Sequence, residues 1–357
     1  MEFGLSSEQT LLQDSVNRFL AEQLPLDQVR EVATGSKSDK AAWAGLTHLG
    51  IPGLLISEAN GGLGLGTLDA AVVSTSLGYH VSTTPFISSS VIAPVALQTA
   101  VKREDLLGGV GTGEIRIGIA FTEGVAARLD GGVTESNGKL NGKSLFVLDA
   151  DADYYLVTNN EQHIYLVDAS ESGVSRNTLT TIDKTRSVCE LRFNNATCEL
   201  ISKDPKVFNT ALNAGLVAIA ADTLGASQNA LDQAVKYAGE REQFNRVIAS
   251  FQAVKHMCAE MVAELEPCRA MVWYAAHALD DIPEEATMMA SHTKAHLSEV
   301  GQFVTRTSTE VHGGMGFTDL VGLHYWFKRA GFNRQMLGSP EYQRERAAIA
   351  QGLGSAG

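Results

Sequence analysis

The chain has 357 residues, 44% of them hydrophobic, with four cysteines and a formal net charge of −13. That length exceeds what one hydrophobic core spans, so two or three domains are expected. The acidic balance argues against a nucleic-acid partner, which needs a basic face, and leaves any anionic ligand to be held by local donors.

The first segment, residues 1–114, reads as helical. "MEFGLSSEQT" lacks the basic start and apolar run of a secretion signal, so a cytoplasmic location is the expectation. Ser6 and Gln9 have capping-box spacing, and Leu12, Val16, Phe19 and Leu20 then share a helical face. "LGIPGLLISEANGGLGLGTLDAA" interrupts with a glycine-rich loop before helix resumes near Leu68. Gly62, Gly64 and Gly66 lack the spacing and βαβ context of a dinucleotide fingerprint, so a turn-forming loop is the reading.

The second segment, residues 115–203, changes period. Ile115, Ile117, Ile119 and Phe121 alternate as a half-buried strand does. Asn137-Gly138 and Asn141-Gly142 are tight-turn dipeptides, and "YYLVTN" and "HIYLVDA" are further strand-like runs. A small antiparallel β domain is predicted. Asn195-Ala196-Thr197 matches a glycosylation sequon and is read as a chance match.

The third segment, residues 204–357, returns to long helices. "ALNAGLVAIAADTLGA" (211–226) contains Asn213 and Asp222 and is too short to span a bilayer. Phe251, Val254, Cys258, Met261, Leu265, Cys268, Val272, Ala275 and Leu279 fall on one stripe, the seam a helical bundle buries, with Pro267 expected to kink it. The cysteines (Cys189, Cys198, Cys258, Cys268) have no metal-ligand spacing and read as reduced thiols. His292 and His296 stand four apart, the spacing of a two-histidine metal pair, but have no intervening HExxH glutamate and no third ligand in view.

Two stretches carry candidate chemistry. In "EREQFNRVIASFQAVKH" (240–256), Arg241 closes one helix and Phe251-Gln252 open the next. A guanidinium matches phosphate oxygens and a helix start offers free N–H groups. Phe244 can pack on a ring, and Gln252 can donate and accept. A solvated Arg–Glu pair at a helix end is the bland alternative, open on these residues alone. In "EVHGGMGF" (310–317), adjacent glycines let a backbone approach a ligand, or simply cap the helix.

These stretches, with "LGIPGLLISEANGGLGLGTLD" and "AFTE", resemble the flavin-dependent acyl-CoA dehydrogenases over nearly the whole chain. The resemblance implies an α+β fold: an all-α N-terminal domain (1–114), a middle antiparallel β-barrel or sandwich (115–203) and a C-terminal four-helix bundle (204–357), assembled as a dimer of dimers. It implies FAD, with Arg241, Gln243, Phe244, Gln252, Glu310, Val311, His312, Gly313 and Gly314 at its phosphate-adenine end, Glu310 standing where the family usually has Gln.

The same resemblance exposes losses. The family's catalytic base, a Glu in a turn after a "KRA"-type helix, falls at Leu337, with Gly338 next, and its alternative position falls at Gly215. Neither leucine nor glycine accepts a proton. "TEGVAARLD" keeps Thr122 and Glu123 of the ring-contacting motif but loses its Gly-Ser-Asp part. In "KSLFVLD", Phe146 stands for the ring-packing Trp and Leu148 for a hydroxyl that bonds near the flavin. In the family the two sets act in different subunits. The expectation is therefore a non-catalytic partner in an α2β2 acyl-CoA dehydrogenase of the kind that handles bulky steroid-side-chain thioesters, with an electron-transfer flavoprotein as acceptor. Two alternatives stand beside it: a self-sufficient enzyme using a displaced carboxylate (Glu341, then Asp319), and a non-enzymatic acyl-CoA-binding scaffold.

Overall fold

The computed structural model describes residues 4–35, 40–125 and 132–354. The N-terminal region is helical: α1 (Ser7–Gln23), α2 (Leu26–Ala33), α3 (Lys40–His48), α4 (Thr67–Tyr79), α5 (Ala93–Ala100), entered through a π-helical turn at Phe86–Ile92, and α6 (Leu107–Gly111). Ser6 and Gln9 form the predicted reciprocal capping box on α1, and Val16 and Leu20 are fully buried. The glycine-rich loop folds back on residues 53–57: Leu63 N–H donates to Gly53 O and Gly64 N–H to Ile56 O.

A β region follows: β1 (Ile117–Ala120), the short helix α7 (Thr122–Val125), β2 (Gly132–Ser136), β3 (Lys139–Leu148), β4 (Tyr154–Thr158), β5 (Ile164–Asp168), β6 (Val174–Thr178), β7 (Val188–Thr197) and β8 (Glu199–Ser202). The strands form one sheet, ordered β6-β7-β3-β1-β4-β5-β8 with β2 paired to β3. β5 touches β7 although β3, β1 and β4 separate them in the ladder, so the sheet curls around its own core, which includes Val133, Val147, Tyr155, Val157 and Leu191. Two expectations need correction. The sheet is mixed, because β1 runs parallel to β4, with Ile117 opposite Tyr154. Only Asn137-Gly138 makes a hairpin turn, linking β2 to β3; Asn141-Gly142 lies inside β3, where Gly142 (φ 108°) accommodates a bulge against β7.

The C-terminal region contains α8 (Pro205–Glu240), a hairpin of β9 (Glu242–Gln243) and β10 (Arg246–Val247), α9 (Gln252–Asp281), α10 (Pro283–His312), α11 (His324–Gln335) and α12 (Pro340–Ala350). α8, α9, α10 and α11 pack together as the bundle, and α12 lies along α10. All nine stripe residues of α9 are buried or half-buried, and the helix continues through Pro267. Helix α8 is 36 residues long and its most apolar window passes the length and hydropathy test for a membrane span, yet 89% of that window is buried inside the protein. That window is apolar because it is packed inside the protein.

Two devices join the regions. Helices α4 and α8 cross backbone to backbone: a Cβ on Gly78 would sit 1.9 Å from Asp222 O, and one on Gly225 would sit 1.8 Å from Thr75 O. Nearby, the fully buried Arg329 of α11 donates to Asp183 Oδ2 (2.7 Å) of the β region, to Asp222 Oδ2 (3.1 Å) of α8 and to Ser82 O (2.8 Å) of the N-terminal region. Asn333 Nδ2 donates to Asp222 Oδ1 (2.7 Å), and the Arg186 guanidinium lies 2.9 Å from Asp222 Oδ2. One ionic cluster thus pins all three parts of the chain.

Candidate cofactor cradle and cavity

Three helix ends meet at one end of the bundle. Helix α8 stops where Arg241 turns to extended backbone, its N–H still donating to Tyr237 O. The β9–β10 hairpin follows, and its loop residues Phe244 and Asn245 both take left-handed backbone (φ 52° and 59°), the geometry of a type I′ turn. Phe244 is 87% exposed. A phenylalanine held left-handed and in water is unfavourable on both counts, offset in part by an edge-to-face contact with the Phe251 ring at 6.1 Å between centroids. Arg246 sits 4.0 Å above the Phe251 ring. Gln252 then opens α9, a 30-residue helix with no side-chain cap and no acidic residue in its first turn. Its leading N–H groups are available to an anion.

Helix α10 ends at His312, and Gly313 adopts φ 58°, ψ −138°, a conformation that glycine alone tolerates well. A Cβ at Gly313 or Gly314 would meet no atom within 4 Å, so the turn lies open to close approach. The Tyr237 and His312 rings stack at 4.5 Å between centroids, binding the Arg241 end of α8 to the glycine turn. His312 Nδ1–H donates to Ser308 O (2.8 Å), and burial lowers the imidazole pKa, keeping the ring neutral.

All nine residues assigned to the phosphate-adenine end therefore gather at these helix ends, but not equally. Val311 and His312 have buried side chains, leaving their backbone for a ligand. Arg241, Gln243, Phe244 and Gln252 are exposed, as are Gly313 and Gly314. Arg241 has no carboxylate partner among the described residues, which counts against a plain surface pair. Glu310 lies 3.8 Å from Arg306, which offsets its charge.

A separate cavity of about 860 Å³ opens between the β region and the C-terminal helices, and none of its lining residues belongs to the helix-end cluster. Its walls are α7, Leu145 and Phe146 of β3, residues 179–182, and the turn from α11 to α12. Among the described residues no Asp, Glu, His, Lys or Arg lines it. Leu337, left-handed at φ 55°, forms part of the wall. Gly215 of α8 lies behind it: a Cβ there would be 3.0 Å from Leu337 Cδ1 and 2.7 Å from Ile92 Cδ1. The two positions picked from sequence as sites of a missing base converge on one spot, and hydrocarbon fills it.

Glu341 does not reach the cavity. It is exposed on the first turn of α12 with Oε1 3.2 Å from the Arg334 guanidinium. Hydrogen bonds from its own amide and from Ser339 hold its pKa down. Asp319 is likewise outside, accepting from His324 Nε2 (2.9 Å) on the exposed loop after α10. Thr122 lines the cavity, whereas Glu123 is buried beside it; Ala126–Asp130 fall outside the described residues. Leu145 and Phe146 line the cavity at a register shift between Ser144 and Val147, with Phe146 left-handed, and Leu148 is buried in the core beside it.

His292 spends its Nε2 on Gln351 (3.2 Å), and among the described residues no cluster of three His, Cys, Asp or Glu side chains forms. All four cysteines are free thiols, and burial pushes those of Cys189 and Cys268 up to about 12. Sequence reasoning missed Tyr237, the Arg329 cluster and Lys294. Of these Lys294 had a signal: it is a lone charge on an α10 face otherwise made of Ser291, Ala295, Leu297 and Ser298.

Comparison with known proteins gives two family matches. The model for the acyl-CoA dehydrogenase N-terminal domain matches residues 6–114, and that for the C-terminal domain matches residues 206–352. The acyl-CoA dehydrogenase IpdE2 of Mycobacterium tuberculosis is 28% identical over 341 residues, covering 93% of this chain and 94% of its own. A variant of the Tcur3481-Tcur3483 steroid ACAD superposes with a TM-score of 0.89 at 26% identity, covering 98% of this chain and 99% of its own. The ChsE4-ChsE5 complex of M. tuberculosis superposes with a TM-score of 0.89 at 24% identity, each chain covered fully, and speaks for the fold alone.

Proposed function

This chain belongs to the acyl-CoA dehydrogenase family, and we propose that within it the chain is the non-catalytic partner of a heteromeric, FAD-dependent enzyme that desaturates an acyl-CoA thioester at the α,β bond. The observation that carries this reading is the cavity. The desaturation needs a carboxylate beside the thioester to take a proton, and among the described lining residues there is none, with Leu337 packed over Gly215 where either base would stand.

The helix-end cluster fits the phosphate-adenine end of FAD. Arg241 offers an unengaged guanidinium, the uncapped start of α9 offers N–H groups, and the Gly313-Gly314 turn leaves room that a side chain would fill. Bound FAD supplies a hydride acceptor. This chain's part is to grip the dinucleotide tail of a site whose ring pocket and base lie in a homologous subunit. The exposed Phe244, presented on a strained hairpin, is placed to reach across such an interface. Likeness to a protein titled a steroid ACAD makes a bulky, polycyclic acyl-CoA the first substrate to try. An electron-transfer flavoprotein as acceptor and a cytoplasmic α2β2 complex complete the proposal.

The reading of Glu341 as a displaced base has no support in the geometry, because that carboxylate points outward and is paired to Arg334. A pure scaffold would have no use for the Arg241 cluster. Expression of the chain alone, and with a homologue carrying Glu at either base position, tests the proposal. The lone chain should purify without flavin absorbance and the pair should be yellow and active. A lone chain that retains stoichiometric FAD and desaturates an acyl-CoA would refute it.

A further inference from the structure

Lys294, on α10, is 1% exposed and has no carboxylate in contact. Its Nζ lies 3.2 Å from Arg334 O, 3.1 Å from Gly338 O and 3.2 Å from Ser298 Oγ. The Ser298 hydroxyl has already committed its proton to Lys294 O (2.7 Å), so it meets Nζ as an acceptor. All three neighbours are therefore acceptors, and only an ammonium, with three N–H donors and no lone pair, satisfies them all. A neutral amine, with two N–H donors, would serve two of the oxygens and turn its lone pair toward the third.

Those contacts grip the turn between α11 and α12. Gln343, fully buried, adds a third hold, its Nε2 donating to Leu337 O (2.6 Å). The turn needs holding: Leu337 stands at φ 55° and Gly338 at φ 104°, and left-handed backbone is costly for leucine. The same turn, residues 335–339, forms one wall of the cavity.

We infer that Lys294 and Gln343 are positioning residues for this wall, and that the Lys294 proton governs what the cavity admits. Two charged groups on neighbouring elements act on Lys294: Arg334 of α11, which disfavours the ammonium, and Glu341 of α12, which favours it. Burial is the larger influence and lowers the lysine from 10.5 to about 7. The cavity itself contributes no competing titration in the neutral range, since among its described lining residues only Tyr342 ionises, and burial raises it. The inference does not depend on the proposed function, because it concerns the wall and not the reaction.

Nile red, a neutral apolar dye, is the probe. Its affinity for the full-length chain is measured by fluorescence from about pH 6 to about pH 9, the range spanning a neutral-range lysine. The wild type should bind about five-fold more weakly above the transition, on the order of one lost hydrogen bond. Lys294→Met should give a flat profile at weaker affinity. Glu341→Gln, at an exposed site that leaves folding intact, should move the midpoint to lower pH, and Gln343→Met should weaken binding without moving it. A flat wild-type profile, or a midpoint unmoved by Glu341→Gln, overturns the inference even if Lys294→Met fails to fold.

Discussion

The helix-end cluster and the cavity are built on opposite principles. At the helix ends, Arg241, Gln252 and Phe244 are held out to solvent, Phe244 on left-handed backbone. In the cavity, Leu337 packs over Gly215 and no carboxylate lines the wall among the described residues, while Lys294 and Gln343 hold the turn behind it. In a self-sufficient enzyme of this family both regions would carry functional groups. On the proposed function, the first grips a ligand and the second carries no base, a division of labour between two chains.

The largest expected effect removes the frame both regions share. Arg329→Met leaves Asp183 and Asp222 buried without their common partner. A loss of about 3–5 kcal/mol is expected on breaking such a buried ionic contact, read as a fall in Tm. A shift like that of a surface substitution would mean the cluster is not the keystone described.

A smaller effect should separate the two regions. Arg241→Ala removes an exposed guanidinium, so stability should hold. FAD affinity of the assembled complex should fall by roughly 1.5–3 kcal/mol, or about ten- to a hundred-fold. Equal flavin content in wild type and variant at limiting FAD would detach Arg241 from the cofactor.

Next comes the pH dependence of Lys294, whose sign is opposite to that of a salt-bridged lysine. Its folded pKa is about 7 against 10.5 unfolded. Between those values the unfolded chain holds the extra proton, so stability must rise with pH. Relative to Lys294→Met, wild-type stability should climb by about 1.4 kcal/mol per pH unit at most across that window and level off below neutrality. Denaturant melts at several pH values measure the difference, and parallel curves would contradict it. The smallest effect belongs to Glu310→Gln: the 3.8 Å contact with Arg306 is solvent-exposed, so its loss should change Tm by less than about 1 kcal/mol equivalent.

Much of this was legible in the sequence, for physical reasons. The capping box at Ser6, the α9 stripe and the breaks at Arg241 and Phe251 are local signals, and the structure has each. Asn141-Gly142 misled because a strong turn dipeptide also suits a bulge, and only pairing with β7 decides between them. The parallel β1–β4 pair is a long-range choice that alternation cannot reveal. The convergence of Gly215 and Leu337, 122 positions apart in the chain, could be inferred only from resemblance. The Tyr237–His312 stack had no sequence signal at all.

The central claim, that this chain supplies a dinucleotide grip and no base, is tested most directly by counting flavins. The complex with a base-bearing homologue would be purified with saturating FAD, its four chains counted by mass and its flavin by absorbance after denaturation. Two flavins per tetramer is the predicted result, one for each pairing of this chain's helix-end cluster with the partner's ring pocket. Four flavins, with the cavity of this chain holding a ring of its own, would contradict it.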